Sequence, residues 1–434
     1  MKKLPVIFAL LGFAFSKEGV ENLKLRPDNN KLLAHAGHSH SLGEKKPSLM
    51  PEISLVIELS LVSRNRKDEE YKELQIPRVF HRHHHEGHSD HGIRNEKRGF
   101  NLNHVELGTY FHPHKNLDLT AVFAFHGEKA EVEEAYALAK GLPGGFEIKL
   151  GKFRSAFGKI NTQEPHTWDF ATAPLIFTGF FGDEGLIEKG IQVSWYAPTK
   201  FFLQVGAEVL QGENEASFNY KGFTITHSPT GRSFEVEDKS APSLFIGFIK
   251  SSFEYNDFTI SPGISYAQGK HRHEHGDHGL DADSKLYGVD LTAKYSFDQQ
   301  RYLSLQTEYI YRDMKGTRYG FTGAGAITAD PIKRRQGGYY IQLVGAINKN
   351  LRAGIQYNLI DRNEVFRAGR KLSPSYSNLP AYYAMVEYSP TDFSRIRLQA
   401  GQNKALYALE NRILERKTVN EVILQFTFAF GHNH

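Results

Sequence analysis

The chain has 434 residues, a formal net charge of +4 and no cysteine. The missing thiols exclude disulfide scaffolds, thiol catalysis and cysteine-based zinc sites. The modest charge, without any long Lys/Arg block, gives no reason to expect a nucleic-acid partner. Mean hydropathy is negative, which excludes a helical membrane protein but not a β-barrel, whose strands alternate apolar and polar residues and average out as hydrophilic.

Met1-Lys2-Lys3 followed by the apolar run Leu4 to Phe15 has the form of a secretory signal, with Ala14 and Ser16 setting a cleavage point before Lys17. The run is too short for a membrane-spanning helix, which needs about 20 residues. Residues 17–50 are expected to be a flexible periplasmic pre-barrel segment, and 51–434 the barrel itself.

From Pro51 onward, short alternating segments are separated by connections that are tight and long in turn. The expected strands are Ile53 to Ser63, Phe100 to His112, Leu117 to His126, Ala130 to Lys140, Phe146 to Phe153, Gly190 to Ala197, Lys200 to Gln211 and Ser243 to Tyr255. Eight more follow: Phe258 to Gln268, Lys285 to Phe297, Tyr302 to Tyr311, Tyr339 to Ile347, Leu351 to Ile360, Ala381 to Tyr388, Arg395 to Gln402 and Val422 to Phe430. Pro, Gly, Asn and Asp fill the tight connections, as in Asn256-Asp257 and Lys349-Asn350. Short turns at one end and long loops at the other is the asymmetry of outer-membrane barrels. The prediction is therefore an all-β, transmembrane, antiparallel up-and-down barrel of about sixteen strands, with short periplasmic turns and long extracellular loops.

The phase supports a membrane setting. In Leu351 to Leu359 every odd position is apolar and every even one is polar or Gly; Arg395 to Ala400 behaves likewise. A one-residue slip would place Arg395 and Arg397 in hydrocarbon, at about 2–4 kcal/mol each near the midplane. A soluble β-sandwich or β-helix shares the periodicity. The alternating loop lengths, the aromatic residues near strand ends (Trp195, Tyr196, Phe201, Phe202, Tyr339, Tyr340, Tyr382, Tyr383) and the aromatic last strand favour outer-membrane lipid as the surroundings.

Fifteen of the 21 histidines fall in four tracts. The first is His35, His38 and His40. The second is His81, His83, His84, His85, His88 and His91, with Glu86 and Asp90 interleaved. The third is His271, His273, His275 and His278, with Glu274 and Asp277; His432 and His434 form the last. Neutral imidazoles beside carboxylates suit Zn²⁺ or another divalent transition metal. The second and third tracts fall in expected extracellular loops and are the candidate metal ligands. Their binding would be weak and pH-dependent, because protonation near the imidazole reference value of about 6.5 releases metal. The competing reading is a solvated loop that binds metal incidentally.

The stretch Arg154 to Glu188 is expected to fold into the lumen and narrow it. Arg154, Glu164, His166 and Asp169 are the candidate constriction, with Glu164, His166 and Asp169 a selectivity point for cations; alternatively His166, Trp168 and Asp169 latch the loop to the wall. Lys149, Arg352, Arg395 and Arg397 are candidate pore-lining cations that would favour anions. No G-x-S-x-G, phosphate-binding glycine loop or H-E-x-x-H occurs, so no enzymatic activity is expected.

Several stretches resemble a family of bacterial outer-membrane barrels described as porin-like or as zinc-regulated outer-membrane receptors. They are Pro51 to Leu55, Val132 to Tyr136, Leu142 to Gly145, Gly151 to Phe153, Asn161 to Pro174 and Tyr196 to Thr199. The resemblance covers Pro51 to Gly212 and the C-terminal strand with its His-containing tail; the middle third matches in pattern only. It implies a barrel pore and a link to zinc. An energy-coupled receptor would need a plug of well over about a hundred residues before a barrel of about 22 strands, where this chain has residues 17–50, so a porin is favoured. The expected function is a channel for small hydrophilic solutes or ions with divalent metal, zinc above all, captured at its outer mouth. The alternatives are a general or anion-preferring porin with incidental histidines and a surface metal-binding barrel without conduction. A homotrimer is the expected assembly.

Overall fold

The computed structural model describes residues 47–79, 94–126, 129–410 and 413–431. Sixteen strands form the wall. The first eight are β1 (Ser48–Arg64), β2 (Gly99–His114), β3 (Leu117–His126), β4 (Lys129–Leu142), β5 (Phe146–Arg154), β6 (Ile187–Tyr196), β7 (Phe202–Leu210) and β8 (Leu244–Tyr255). The rest are β9 (Phe258–His275), β10 (His278–Ser296), β11 (Tyr302–Phe321), β12 (Ile327–Ala346), β13 (Leu351–Arg367), β14 (Leu379–Thr391), β15 (Ser394–Glu410) and β16 (Ile413–Gly431). Each pairs antiparallel with its sequence neighbours, and β1 closes on β16 from Ser54↔Gly431 to Arg64↔Glu421. The closed barrel leaves no sheet edge unpaired.

The side-chain phase is the reverse of a water-soluble barrel. Ile148 and Leu150 on β5, Ile191 and Val193 on β6, Ile355 on β13 and Leu398 on β15 point outward and are exposed; Ile355 is 61% exposed. Glu58, Glu106, Glu208, Gln306, Glu308, Gln356, Asn358 and Arg397 point inward and are buried. Burying that many charges while exposing that much hydrocarbon is reasonable only if lipid is the outer solvent. The barrel is thus a transmembrane barrel of the bacterial outer membrane.

Aromatic girdles mark the membrane boundaries. Phe258 faces Tyr295 across the β9–β10 pair, with ring centroids 4.6 Å apart, and Phe393 meets Phe430 at 5.3 Å near the same end. Further up, Tyr266, Tyr287 and Tyr311 form a run across β9, β10 and β11. From position 258 to 266 a strand rises about 26 Å, or about 20 Å along the normal at a tilt near 40°, close to the roughly 25 Å apolar band of such barrels.

All sixteen expected strands are present, and the tight turns lie where expected. One expectation is corrected. The third histidine tract is not a loop: β9 continues to His275, turns at Gly276-Asp277 and returns as β10 from His278. β11, β12 and β13 rise with it beyond the membrane, as do β15 and β16 elsewhere. These extensions have water outside, so the apolar outward phase that marks a membrane strand stops at the upper girdle. What supports them is an inward cluster of Leu280, Ala282, Met314, Ile332 and Val365, packed against Leu372. Gly276, at φ +60°, supplies the left-handed turn residue.

The connections at the outer mouth also fold inward. A short helix, α1 (Asp68–Lys72), leads into Leu74, Ile76 and Val79, all buried, and Gln75 exchanges two backbone hydrogen bonds of 2.9 Å with Tyr407. Between β7 and β8 a small hairpin, Phe223–His227 with Arg232–Val236, leans on β9 and β10.

Ile355 is the fifth residue of β13 above a periplasmic turn, near the midplane. Ile355→Arg is expected to lower the stability of the refolded barrel in lipid vesicles by about 2–4 kcal/mol, measured by urea titration. An unchanged midpoint would show that this face does not meet hydrocarbon.

Candidate functional site: the loop inside the barrel

Residues 155–186, between β5 and β6, turn into the lumen. Their sequence explains why they fold as a unit there. Phe157, Ile160, Trp168, Phe170, Ile176, Phe177, Phe180, Phe181 and Leu186 are all buried. Trp168 meets Phe177 edge-on at 4.9 Å, and Phe157 meets Phe181 at 5.5 Å. A short helix, α2 (Leu175–Phe181), starts after Pro174 and stops at Gly182. Asn161 ties the two ends of the loop together. Its amide donates to Ser155 O at 2.9 Å and Leu186 O at 3.2 Å, and its carbonyl accepts from Leu186 N at 2.7 Å.

A loop inside a barrel carries backbone groups that need partners, and lumen-facing wall side chains supply them in sequence around the ring. Glu208 of β7 accepts from the Ser155 hydroxyl at 2.6 Å and from Ala156 N at 2.8 Å. Ser265 of β9 accepts from Gly158 N, and Lys250 of β8 donates to Gly158 O, both at 2.9 Å. Glu308 of β11 accepts from Lys159 N and Ile160 N at 3.2 and 2.9 Å. Asn358 of β13 accepts from Leu175 N at 3.2 Å, and Gln399 of β15 from Ala171 N at 2.7 Å. The loop therefore touches the wall from β7 round to β15.

The three arginines expected to line the pore sit together and hold this loop. Arg352 donates to Asp169 at 3.0 Å and to Glu387 of β14 at 2.5 and 2.9 Å. Arg397 donates to Glu387 at 2.6 Å, to Trp168 O at 2.7 Å and to Gln425 at 2.7 Å. Arg395 donates to His166 O. Glu387, 1% exposed, is shared by two guanidiniums. Asp169 also accepts from Gln342 at 3.0 Å.

The remaining expected constriction residues gather on the other side. Arg154 pairs with Glu133 at 2.6 Å. The His166 ring lies between Glu164, 3.2 Å from its Nε2, and Glu106, 3.7 Å from its Nδ1. His104 of β2 joins Glu106 at 3.0 Å. Lys149 is apart from both groups, with its ammonium 4.6 Å above the Tyr136 ring. Asp169 and the Glu164–His166 pair therefore belong to two different clusters, not to one point.

Of the candidate metal ligands, His81, His83, His84, His85, His88 and His91 lie outside the described residues. His271 is buried against the inner wall of the β9–β10 hairpin, and burial holds its imidazole well below the ordinary value. His275 and His278 flank the hairpin tip with ring centroids 5.4 Å apart, and Asp277 lies 3.1 Å from His278 Nδ1. Burial lowers the His278 value, with the Asp277 hydrogen bond opposing it.

Sequence reasoning missed His104, Glu106, Glu133, Glu308, Glu387 and Gln399. The signal was available for most of them: each is a polar residue in the lumen phase of its strand. Glu133 is an exception, because a bulge sets its direction.

No family model matches the chain. An uncharacterized protein of Aquifex aeolicus (strain VF5) is 45% identical over 420 residues, covering 94% of this chain and 86% of that protein. The chain belongs to that protein's family. Among solved structures, an anion-selective porin from Comamonas acidovorans aligns at TM-score 0.50 and 10% identity over 88% of this chain and 99% of its own. An outer-membrane protein of Vibrio cholerae, OmpT, aligns at TM-score 0.49 and 9% identity over 88% and 97%. At these identities the likeness to the Comamonas porin concerns the fold: a porin-type barrel.

Glu387→Gln leaves two arginines sharing a neutral amide in a buried setting. Breaking such a network costs about 3–5 kcal/mol. The expected outcome is an earlier loss of heat-resistant electrophoretic mobility and a lower thermal midpoint by circular dichroism. Unchanged melting would show that Glu387 does not hold the arginine cluster.

Proposed function

We propose that this protein is an outer-membrane channel for small hydrophilic solutes or ions, with histidine-rich segments at its outer mouth that capture divalent metal, zinc in the first place. The observation that carries the channel is the inside-out wall: a closed cylinder whose lumen is lined by carboxylates, amides and guanidiniums and narrowed by one folded loop. Between that loop and the β2–β5 and β14–β16 parts of the wall lies a cavity of about 150 Å³, bordered by charged residues such as Glu131, Lys152 and Glu184 and by apolar ones such as Ile76, Trp168 and Leu406. The metal part rests on His273, His275 and His278 at the β9–β10 tip beside Asp277, and on the composition of the His81 to His91 tract, which lies outside the described residues. The Arg352–Arg395–Arg397 cluster weighs toward anions, yet Asp169 and Glu387 answer it, so weak selectivity follows.

A second reading is a metal-binding barrel without conduction. The specific observation in its favour is the extent of the loop's contact with the wall.

Single-channel recording in planar bilayers tests both. Purified protein is expected to show discrete conductance steps with a small reversal potential in unequal salt. Complete absence of current would leave the second reading.

Micromolar zinc is expected to shift conductance or reversal potential in the wild type. The shift should shrink when His81, His83, His84, His85, His88, His91, His273, His275 and His278 are replaced by Asn. If zinc changes neither quantity, metal capture at the mouth is unrelated to the channel. Native mass spectrometry of the detergent-extracted protein tests the homotrimer that accompanies this reading.

A further inference from the structure

Two β-bulges at one level of the wall aim extra side chains inward. On β2 the register to β1 shifts between His104, opposite Glu58, and Leu102, opposite Leu59, so Asn103 is the additional residue and both Asn103 and His104 are buried toward the lumen. On β4 the register to β3 shifts between Glu134, opposite Val122, and Val132, opposite Phe123, so Glu133 is the additional residue and turns inward beside Glu134. Bulges interrupt pairing and bend the strand, and they recur where a side chain has to be re-aimed. The β4 bulge brings Glu133 to the level of His104 and Glu106, which share the lumen phase of β2, and the lumen loop brings Glu164 and His166 to the same place.

The distances have the form of a ligand set. His104 Nε2 lies 3.0 Å from Glu106 Oε2 and 3.9 Å from Glu133 Oε2. His166 Nδ1 lies 3.7 Å from the same Glu106 oxygen, and its Nε2 lies 3.2 Å from Glu164 Oε2. Two triads, His104–Glu106–Glu133 and Glu106–Glu164–His166, each keep their ligand atoms within 4.8 Å of one another and share Glu106. Ligands about 2.0–2.2 Å from a tetrahedral ion stand about 3.3 Å apart, so small side-chain adjustments would close either triad on a cation. Glu164 Oε2 stands 3.2 Å from His166 Nε2, so a small rotation would make Nε2–H its donor and turn the Nδ1 lone pair toward an ion beside Glu106, the outer-sphere arrangement typical of metal-bound histidine.

We propose that this cluster is a divalent transition-metal site of the zinc class, with His104, Glu106 and Glu133 of the wall as ligands and His166 of the loop joining through Glu106. Imidazole favours zinc, nickel, cobalt or copper over magnesium or calcium, which prefer all-oxygen shells. Arg154, paired with Glu133 and 3.6 Å from Glu134, and Arg94, paired with Glu58, are the cations beside it. Three carboxylates within a few ångströms of each other in a narrow lumen repel, and a bound dication relieves that repulsion. Because its ligands come from both wall and loop, the ion staples the loop to β2 and β4, the side of the ring that the Glu208-to-Gln399 anchors leave open. The site does not depend on conduction, and it is separate from the histidines of the outer mouth.

The test uses the full-length protein in detergent, stripped with chelator, with His81, His83, His84, His85, His88, His91, His273, His275 and His278 replaced by Asn to remove mouth binding. Zinc calorimetry is expected to show one tight site. Cobalt in its place is expected to give the intense visible absorption of a low-symmetry bound ion. Glu106→Gln and His166→Ala, each added singly, should weaken zinc by about tenfold or more and bleach the cobalt band. Heat-resistant mobility of each variant checks that the barrel has folded, and His104→Asn serves if one of the others has not. Absence of a tight site in the Asn-substituted protein overturns the proposal. So does zinc affinity unchanged by Glu106→Gln and His166→Ala, the result expected if imidazolium–carboxylate pairs alone hold the cluster.

Discussion

In hydrocarbon a backbone N–H or C=O has no water to turn to, so every strand must be paired on both sides. The β1–β16 pairing that closes this barrel is therefore the condition on which the rest depends. Closure fixes the side-chain phase: one face of every strand meets lipid and the other a confined lumen. Residues such as Glu308 and Arg397 can then be buried without being expelled, because the lumen is where polar groups are gathered and can satisfy one another.

That polar lumen is what lets a loop live inside it. Residues 155–186 carry an apolar aromatic core but also many peptide groups, and a greasy interior could not have met those groups. Here wall carboxylates, amides and guanidiniums reach in from β7 to β15 and bond to backbone atoms of the loop. The same residues that would tune the charge of an open pore serve as its structural anchors. Glu387 shows the coupling: it neutralises Arg352 and Arg397, and those arginines in turn hold Asp169 and the Trp168 carbonyl. A substitution aimed at selectivity in this ring will also move the loop.

What the sequence reveals follows from which forces are periodic. Lipid imposes a period-two pattern, so the membrane portions of strands such as Leu351 to Ile360 and Val422 to Phe430 are legible, as are the turns at Asn256-Asp257 and Lys349-Asn350, while the extensions on to Arg367 and back to Ile413 are not. Beyond the membrane that pattern ends, which is why the histidines of the β9–β10 hairpin have the look of a loop although they lie on paired strands. Burial of His271 follows from strand phase and could not be seen without knowing that the strand continued. The inward course of 155–186 is suggested by its length and place among the connections, and its aromatic residues suit a buried segment, but its partners, Gln399 or Asn358, are indistinguishable in sequence from other lumen-facing amides. The bulges at Asn103 and Glu133 leave no local signature: Glu133-Glu134 carries two adjacent acids, and only the register shows that both turn inward.

The wall is of uneven height, and the two polar clusters of the lumen lie under different parts of it. β9 to β13 rise well above the upper girdle and are braced by the Leu280–Met314–Val365 cluster, while β3 and β4 are joined by only residues 127 and 128. Around α1 the residues Leu74, Ile76 and Val79 fold inward, and the Phe223–Val236 hairpin leans on β9 and β10. The cavity beside the loop is bordered by Glu131, Glu133 and His104 from the low side. The His104–Glu106–Glu133 cluster therefore stands on the low side, and the Arg352–Arg395–Arg397 cluster stands further round the ring. Each side pairs acids with arginines: Glu133 with Arg154 and Glu58 with Arg94 under the low wall, Glu387 with Arg352 and Arg397 further round. The lumen is thus divided into two charge-compensated clusters, a division that the near-neutral total charge of the chain does not disclose.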